Sequence, residues 1–291
     1  MKRIIPIALT MLAAFSAQAT TVLTSIKPIQ LITTELTLGV TEPGVLLGSN
    51  TSPHDYALKP SDVKRIRSAD LVVWFGRDLE AFLVKSLEGQ SSVLTLSQVE
   101  GLELREFSGG HEDHHGHDHG SHDPHFWLGY NTTKQVAQAI TDKLVSIDSQ
   151  NAQAYHSNLV KFLGTLEQQQ NKLKLALEPI KDQGYFVFHD AYGYFEQDFE
   201  LNQLGHFTVS PERKPGAKTL IKIRKALTAE QAKCVFSEPQ FTPAVVESVT
   251  RGSNANIGVL DPLGTDVPVG AGAYFKFKQQ LADSFLNCLK G

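Results

Sequence analysis

Eleven histidines are spread unevenly through this chain of 291 residues, and their neighbours decide what chemistry each can do. Six of them, His111, His114, His115, His117, His119 and His122, crowd into the run HEDHHGHDHGSH. Glu112, Asp113 and Asp118 stand between them, with Gly109, Gly110, Gly116 and Gly120 loosening the segment. The run has no apolar residue to bury, so it cannot offset the entropy of ordering itself. Neutral imidazole is the commonest metal-binding side chain and suits Zn2+, Cu2+ and Ni2+. The segment 109–122 therefore reads as an accessory metal loop rather than as packing.

Three further histidines share a different setting. His54 lies in TSPHDY, His125 in DPHFWL and His189 at the end of the apolar run YFVFH. Asp261 follows another apolar run, in GVLDPLG. Strand ends and the loops beside them are where α/β folds place ligand groups. One such histidine is ordinarily structural; three of them, with Asp261, suggest a shared metal site. Asp123 and Asp190 are candidates to orient a ligating ring, and Trp127 to wall the cleft. His156 reads as a surface residue and His206 as structural.

The elements that must position these groups alternate. Short apolar runs predict strands over 21–26, 45–47, 71–75 and 93–96, with helices over 28–38, 60–68 and 78–87. Beyond the histidine run a helix is predicted over 131–146, then one over 151–177 that would be about 40 Å long at 1.5 Å per residue. The rhythm then resumes, with strands over 185–189, 206–209, 234–237 and 256–259, and helices over 192–201, 217–227, 243–251 and 273–289. Strands alternating with helices imply parallel sheets. The predicted fold is α/β: two parallel-sheet lobes joined by one long rigid helix, with the metal site in the cleft between them. The divisions are a signal peptide at 1–19, a first lobe at 20–146, a linking helix at 147–180 and a second lobe at 181–291.

The leader has the basic pair Lys2 and Arg3, a short apolar stretch and the small-x-small sequence Ala17-Gln18-Ala19, as expected of a secretory signal cleaved before Thr20. It is too short to span as a mature helix, and no 18-residue apolar run follows it. The two cysteines, Cys234 and Cys288, are expected to pair in an oxidising compartment. The net charge of −4 becomes −6 without the leader, which argues against nucleic acid and anionic membrane as partners.

These segments carry a resemblance. SPHDYALKPSDVKRIRSADLVVW, HDPHFWLGY and FHDAYGYFE resemble the metal-binding components of bacterial metal-uptake ABC transporters, the cluster A-I group with a rigid interlobe helix. LDPLGTDVPVGAGAY and the terminal NCLKG are similar to its zinc-specific branch, ZnuA in type. The resemblance covers essentially the whole mature chain. It implies a monomeric periplasmic protein that is not an enzyme. It implies a zinc ion held by His54, His125 and His189, and docking onto an inner-membrane permease. Manganese and iron relatives tend to carry a carboxylate where His189 stands, and imidazole suits Zn2+ better than Mn2+. A tetrahedral ion needs a fourth donor. Asp261 matches a position that supplies a carboxylate in several relatives, and water is the alternative. Some zinc relatives carry Glu before the first ligating histidine, where this chain has Pro53.

Rival readings remain at this stage. A binding protein of the same design for Mn2+, Cu2+ or Ni2+ would share the architecture. A zinc hydrolase would share three imidazoles and an open position, though the chain shows no H-E-x-x-H helix and no general base beside the three histidines. A surface adhesin is disfavoured by the lack of a lipid-anchor cysteine at the cleavage site.

Overall fold

The computed structural model describes residues 20–106, 122–209 and 211–290. Chain order in the first lobe runs β1 (Val22–Thr24), α1 (Lys27–Thr37), β2 (Gly44–Val45), α2 (Pro60–Ser68), β3 (Leu71–Trp74), α3 (Val84–Leu87) and β4 (Val93–Thr95). The strands form a parallel sheet in the order β2-β1-β3-β4. Then α4 (Tyr130–Ile147) leads into the long α5 (Ala152–Leu177). The second lobe comprises β5 (Tyr185–His189), α6 (Gly193–Phe199), β6 (Gln203–Thr208), α7 (Ala217–Thr228), β7 (Cys234–Ser237), α8 (Ala244–Thr250), β8 (Asn256–Val259) and α9 (Ala273–Leu289). Its parallel sheet is ordered β6-β5-β7-β8, the same pattern as the first. Two parallel-sheet lobes and one long helix are the expected architecture.

The inner strands are apolar on both faces because helices cover both sides of a parallel sheet. All four residues of β3 and all five of β5 are buried. In β5 the alternation sorts the sides: Tyr185 and Val187 join a core that runs continuously through both lobes, whereas Phe186 and Phe188 pack with Ile223, Leu227 and Val249 in a second cluster. Leu159, Phe162, Leu166, Leu173 and Leu177 recur along one face of α5 and are buried in the continuous core. This helix touches α1 and α4 of the first lobe and α6 and α9 of the second. Its 26 residues span about 39 Å, so one rigid body holds the two lobes in place.

Two predicted elements change. The helix expected over 78–87 is reduced to a 3-10 turn at Ala81–Leu83 followed by α3. Glu80 leaves helical conformation at φ −115°, ψ 56°, and its fully buried carboxyl meets the Ser25 hydroxyl and the Gly76 amide. The strand expected at 206–209 starts earlier, at Gln203, with an irregularity opposite Tyr185/Phe186 and Gly205 at φ 150°. The pairing of Cys234 with Cys288 is present and fastens α9 to β7. Among the described residues, no helix is long and apolar enough to cross a membrane.

Candidate metal site

His189 is the last residue of β5, and its ring is carried to the carboxyl edge of the second sheet. His125 precedes a 3-10 turn, Phe126–Leu128, whose three side chains are fully buried. The turn is anchored by Trp127, whose indole N–H donates to Pro262 O at 2.8 Å, and by the Tyr274 hydroxyl, which donates to Trp127 O. Trp127 also packs its ring against His125, with centroids 5.2 Å apart. Fully buried, it backs the cleft wall as the packing anchor that the sequence suggested. His54 sits on the loop between β2 and α2. Its amide donates to Ser52 Oγ, and the loop is tied to α2 where Asp62 accepts from the Tyr56 hydroxyl and the Lys59 amide.

The three rings converge. Their centroids lie 5.1 to 5.7 Å apart. One ring nitrogen from each lies within 4.8 Å of the others. The Nε2 atoms of His125 and His189 are 3.2 Å apart. Two nitrogens bound to one tetrahedral zinc at 2.0–2.1 Å would be about 3.3 Å apart. This pair is therefore already spaced as two corners of such a shell. Both rings are 2 % exposed, whereas His54 is only part-buried.

Each buried ring is oriented from behind by a carboxylate. His125 Nδ1 is 2.7 Å from Asp123 Oδ1, and His189 Nδ1 is 2.7 Å from Glu238 Oε1. A carboxylate accepts only, so each Nδ1 carries the proton and each Nε2 offers a lone pair to the cleft. Glu238 also accepts from the Tyr192 hydroxyl at 2.9 Å. Its Oε2 is buried and accepts no hydrogen bond among the described residues. A desolvated carboxylate with only neutral donors favours a cation nearby. Burial is the largest influence and opposes charge on His189, but Glu238, joined by the charges of Asp190 and Asp123, more than offsets it and raises the ring's pKa above its usual 6.5.

Asp261 does not join the three rings. Its Oδ1 accepts from Gln240 Nε2 and the Leu263 amide, and its Oδ2 from the Thr265 amide, so the carboxylate organises the 261–265 turn. Of the two aspartates singled out as orienting groups, Asp123 serves His125; Asp190 instead lies 3.8 Å from His206 Nδ1. His206 is part-buried in β6 and His156 is exposed on α5. His111, His114, His115, His117 and His119 lie outside the described residues. His122 pairs with Glu106 in an isolated antiparallel bridge. Glu238 was not anticipated. Its signal lay in register: Val187 faces Phe236 across β5 and β7, so two residues further on Glu238 falls beside His189.

Like-ordered parallel sheets, a strut helix through both, and three imidazoles between the lobes define a two-lobed α/β metal-binding protein. Sequence comparison agrees. The family described as ZnuA, zinc-uptake complex component A, periplasmic, matches residues 22–288. The chain belongs to this family. It is 42 % identical over 296 residues to the high-affinity zinc uptake system protein ZnuA of Yersinia pestis, covering 95 % of this chain and 93 % of that one. The protein of the same name from Haemophilus ducreyi is 41 % identical, with 97 % of each chain covered. A crystal structure of ZnuA superposes with a TM-score of 0.78 at 25 % identity, covering 92 % of this chain and all of that one.

Proposed function

We propose that this chain captures Zn2+ in the bacterial periplasm and delivers it to an inner-membrane ABC permease, as a monomer and not as an enzyme. Residues 1–19 are its export signal. Residues 20–146 and 181–291 are the two lobes, and 147–180 link them. The observation that carries the reading is the pair of buried imidazoles whose Nε2 lone pairs face each other across 3.2 Å, each backed by a carboxylate. His125 and His189 are the preset ligands and His54 is the third. Three neutral imidazoles favour Zn2+ over Mn2+, which prefers carboxylate and water oxygens. The relatives named as zinc uptake proteins support the same choice of cargo.

The fourth ligand is Asp261 if it releases Gln240 and the turn amides, and water if it does not. Asp261→Asn separates the two, because only a ligating carboxylate is missed in the zinc-bound state. The segment 109–122 supplies additional, weaker sites, because a loose tract loses entropy on wrapping an ion. The test of the primary site is a competition titration with a zinc chelator on His54→Ala, His125→Ala and His189→Ala. Each should bind markedly more weakly; unchanged affinity in all three would overturn the assignment. Titration with Mn2+ against bound Zn2+ tests the choice of metal.

A further inference from the structure

The described residues on either side of the histidine-rich segment come together directly behind one of the imidazoles. Arg105 and Asp123 are the two feet of that junction. The Asp123 amide donates to Arg105 O at 2.7 Å, one step inside the bridge between Glu106 and His122. The side chains join the feet a second time. Arg105 Nη1 donates to Asp123 Oδ2 at 2.7 Å, while Oδ1 of the same carboxylate takes the His125 amide and ring Nδ1. Tyr194 of α6, in the second lobe, holds both feet: its hydroxyl accepts from the Arg105 amide at 2.9 Å and donates to Asp123 O at 2.8 Å.

The guanidinium rests on Gly193, where an added Cβ would come within 1.9 Å of it. It also faces the charges of Asp190 and Glu196. Asp123 is fully buried, so its Oδ2 has no solvent to fall back on. Without the guanidinium that oxygen would be a desolvated, unpaired charge. The carboxylate would then turn towards another donor, which displaces the acceptor that holds the His125 ring.

We propose that Arg105 is a positioning residue of the metal site: its guanidinium fixes Asp123, and Asp123 fixes His125 with Nδ1 protonated and Nε2 facing the cleft. The zinc arm of this inference rests on the proposed function; the His125 arm does not. The planar guanidinium directs its N–H groups along fixed lines, so Nη1 holds Asp123 Oδ2 in one orientation, which a freely rotating lysine ammonium does not do.

The experiment compares Arg105→Gln, Arg105→Lys and Gly193→Ala in the full mature protein. Gly193→Ala keeps the charge but pushes the guanidinium off its seat. Long-range 15N–1H correlations on metal-free protein report the His125 tautomer, and chelator competition reports zinc affinity. Wild type should show only the Nδ1–H form of His125. Arg105→Gln should show mixed tautomers and about tenfold weaker zinc binding, in the range for groups that orient a ligand. Arg105→Lys should restore part of both, and Gly193→Ala should move both in the direction of Arg105→Gln. Folded Arg105→Gln or Gly193→Ala protein with the wild-type tautomer and affinity would overturn the proposal. A shifted tautomer with no cleft zinc in wild type would instead count against the proposed cargo and leave the Arg105 assignment standing.

Discussion

Replacing Glu238 by glutamine keeps the shape of the site and removes one charge. The Gln carbonyl can still accept from His189 Nδ1 and from the Tyr192 hydroxyl, the two bonds that Glu238 Oε1 makes. What is lost is the charge assistance, which raises a hydrogen bond from about 1 kcal/mol to about 2–3. One to two kcal/mol is roughly five- to thirtyfold in affinity. Losses of about ten- to a hundredfold are usual for groups that orient a metal ligand. Zinc binding at pH 8 should therefore weaken by at least about fivefold.

The sign of the pH dependence follows from the same carboxylate. In the metal-free protein Glu238 pushes the His189 pKa up against the effect of burial, so a proton competes for Nε2 as the pH falls. Without Glu238 the ring stays neutral to lower pH and that competition weakens. The gap between variant and wild type should be widest at pH 8 and narrow towards pH 6. Competition with a chromophoric chelator at each pH measures it. Equal affinities at pH 8, or a gap that widens on acidification, would refute the reasoning.

Other expectations follow from single features. Reducing Cys234–Cys288 opens a loop spanning a sequence separation of 54 residues, worth up to about 4 kcal/mol on the chain-entropy estimate; the melting temperature should drop while cleft zinc stoichiometry holds, and labelling of both thiols in unreduced protein would show that no bridge forms. Glu80 is fully buried, with its pKa pushed up by desolvation to about 7 from 4.5. Because the folded value is raised, its contribution is intact below pH 4.5, is lost between 4.5 and 7, and is flat above; Glu80→Gln should remove about 3 kcal/mol of that slope in urea titrations, and an unchanged slope would clear Glu80. Deleting 110–121 should lower the number of zinc ions bound in calorimetry without weakening the cleft, and an unchanged number would mean the run is no metal site.

Much of this molecule was legible from local pattern. Strand runs such as YFVFH and the apolar face of α5 follow from periodicity alone, and the placement of His189 at a strand end, with His54 and His125 in loops, pointed to a shared site. What was not legible depends on partners distant in sequence. Glu80 breaks a helix-compatible stretch because Ser25, 55 residues away, receives its carboxyl. Glu238 lies 49 residues from the ring it orients, and only the strand register brings them together. Asp261 looks like a ligand in its motif; its use by Gln240, Leu263 and Thr265 emerges only once the turn is folded.

The three imidazoles are not equally free to move. Displacing His125 or His189 disturbs Trp127, Asp123 or Glu238 in the buried wall. The loop carrying His54 meets the second lobe at Ser49, whose carbonyl accepts from Thr265 Oγ1 at 3.1 Å and from Gln240 Nε2 at 3.5 Å, while Lys27 Nζ donates to Thr265 O. Each such bond contributes about 1 kcal/mol, so unlatching that loop costs far less than breaching the wall. The site is thus built with unequal stiffness: two of its rings are set in the buried wall, and the third rides on a loop held at Ser49 by two hydrogen bonds. A perturbation that loosens the Ser49–Thr265 contact would free His54 before it disturbs His125 or His189, while both lobes stay clamped on their strut.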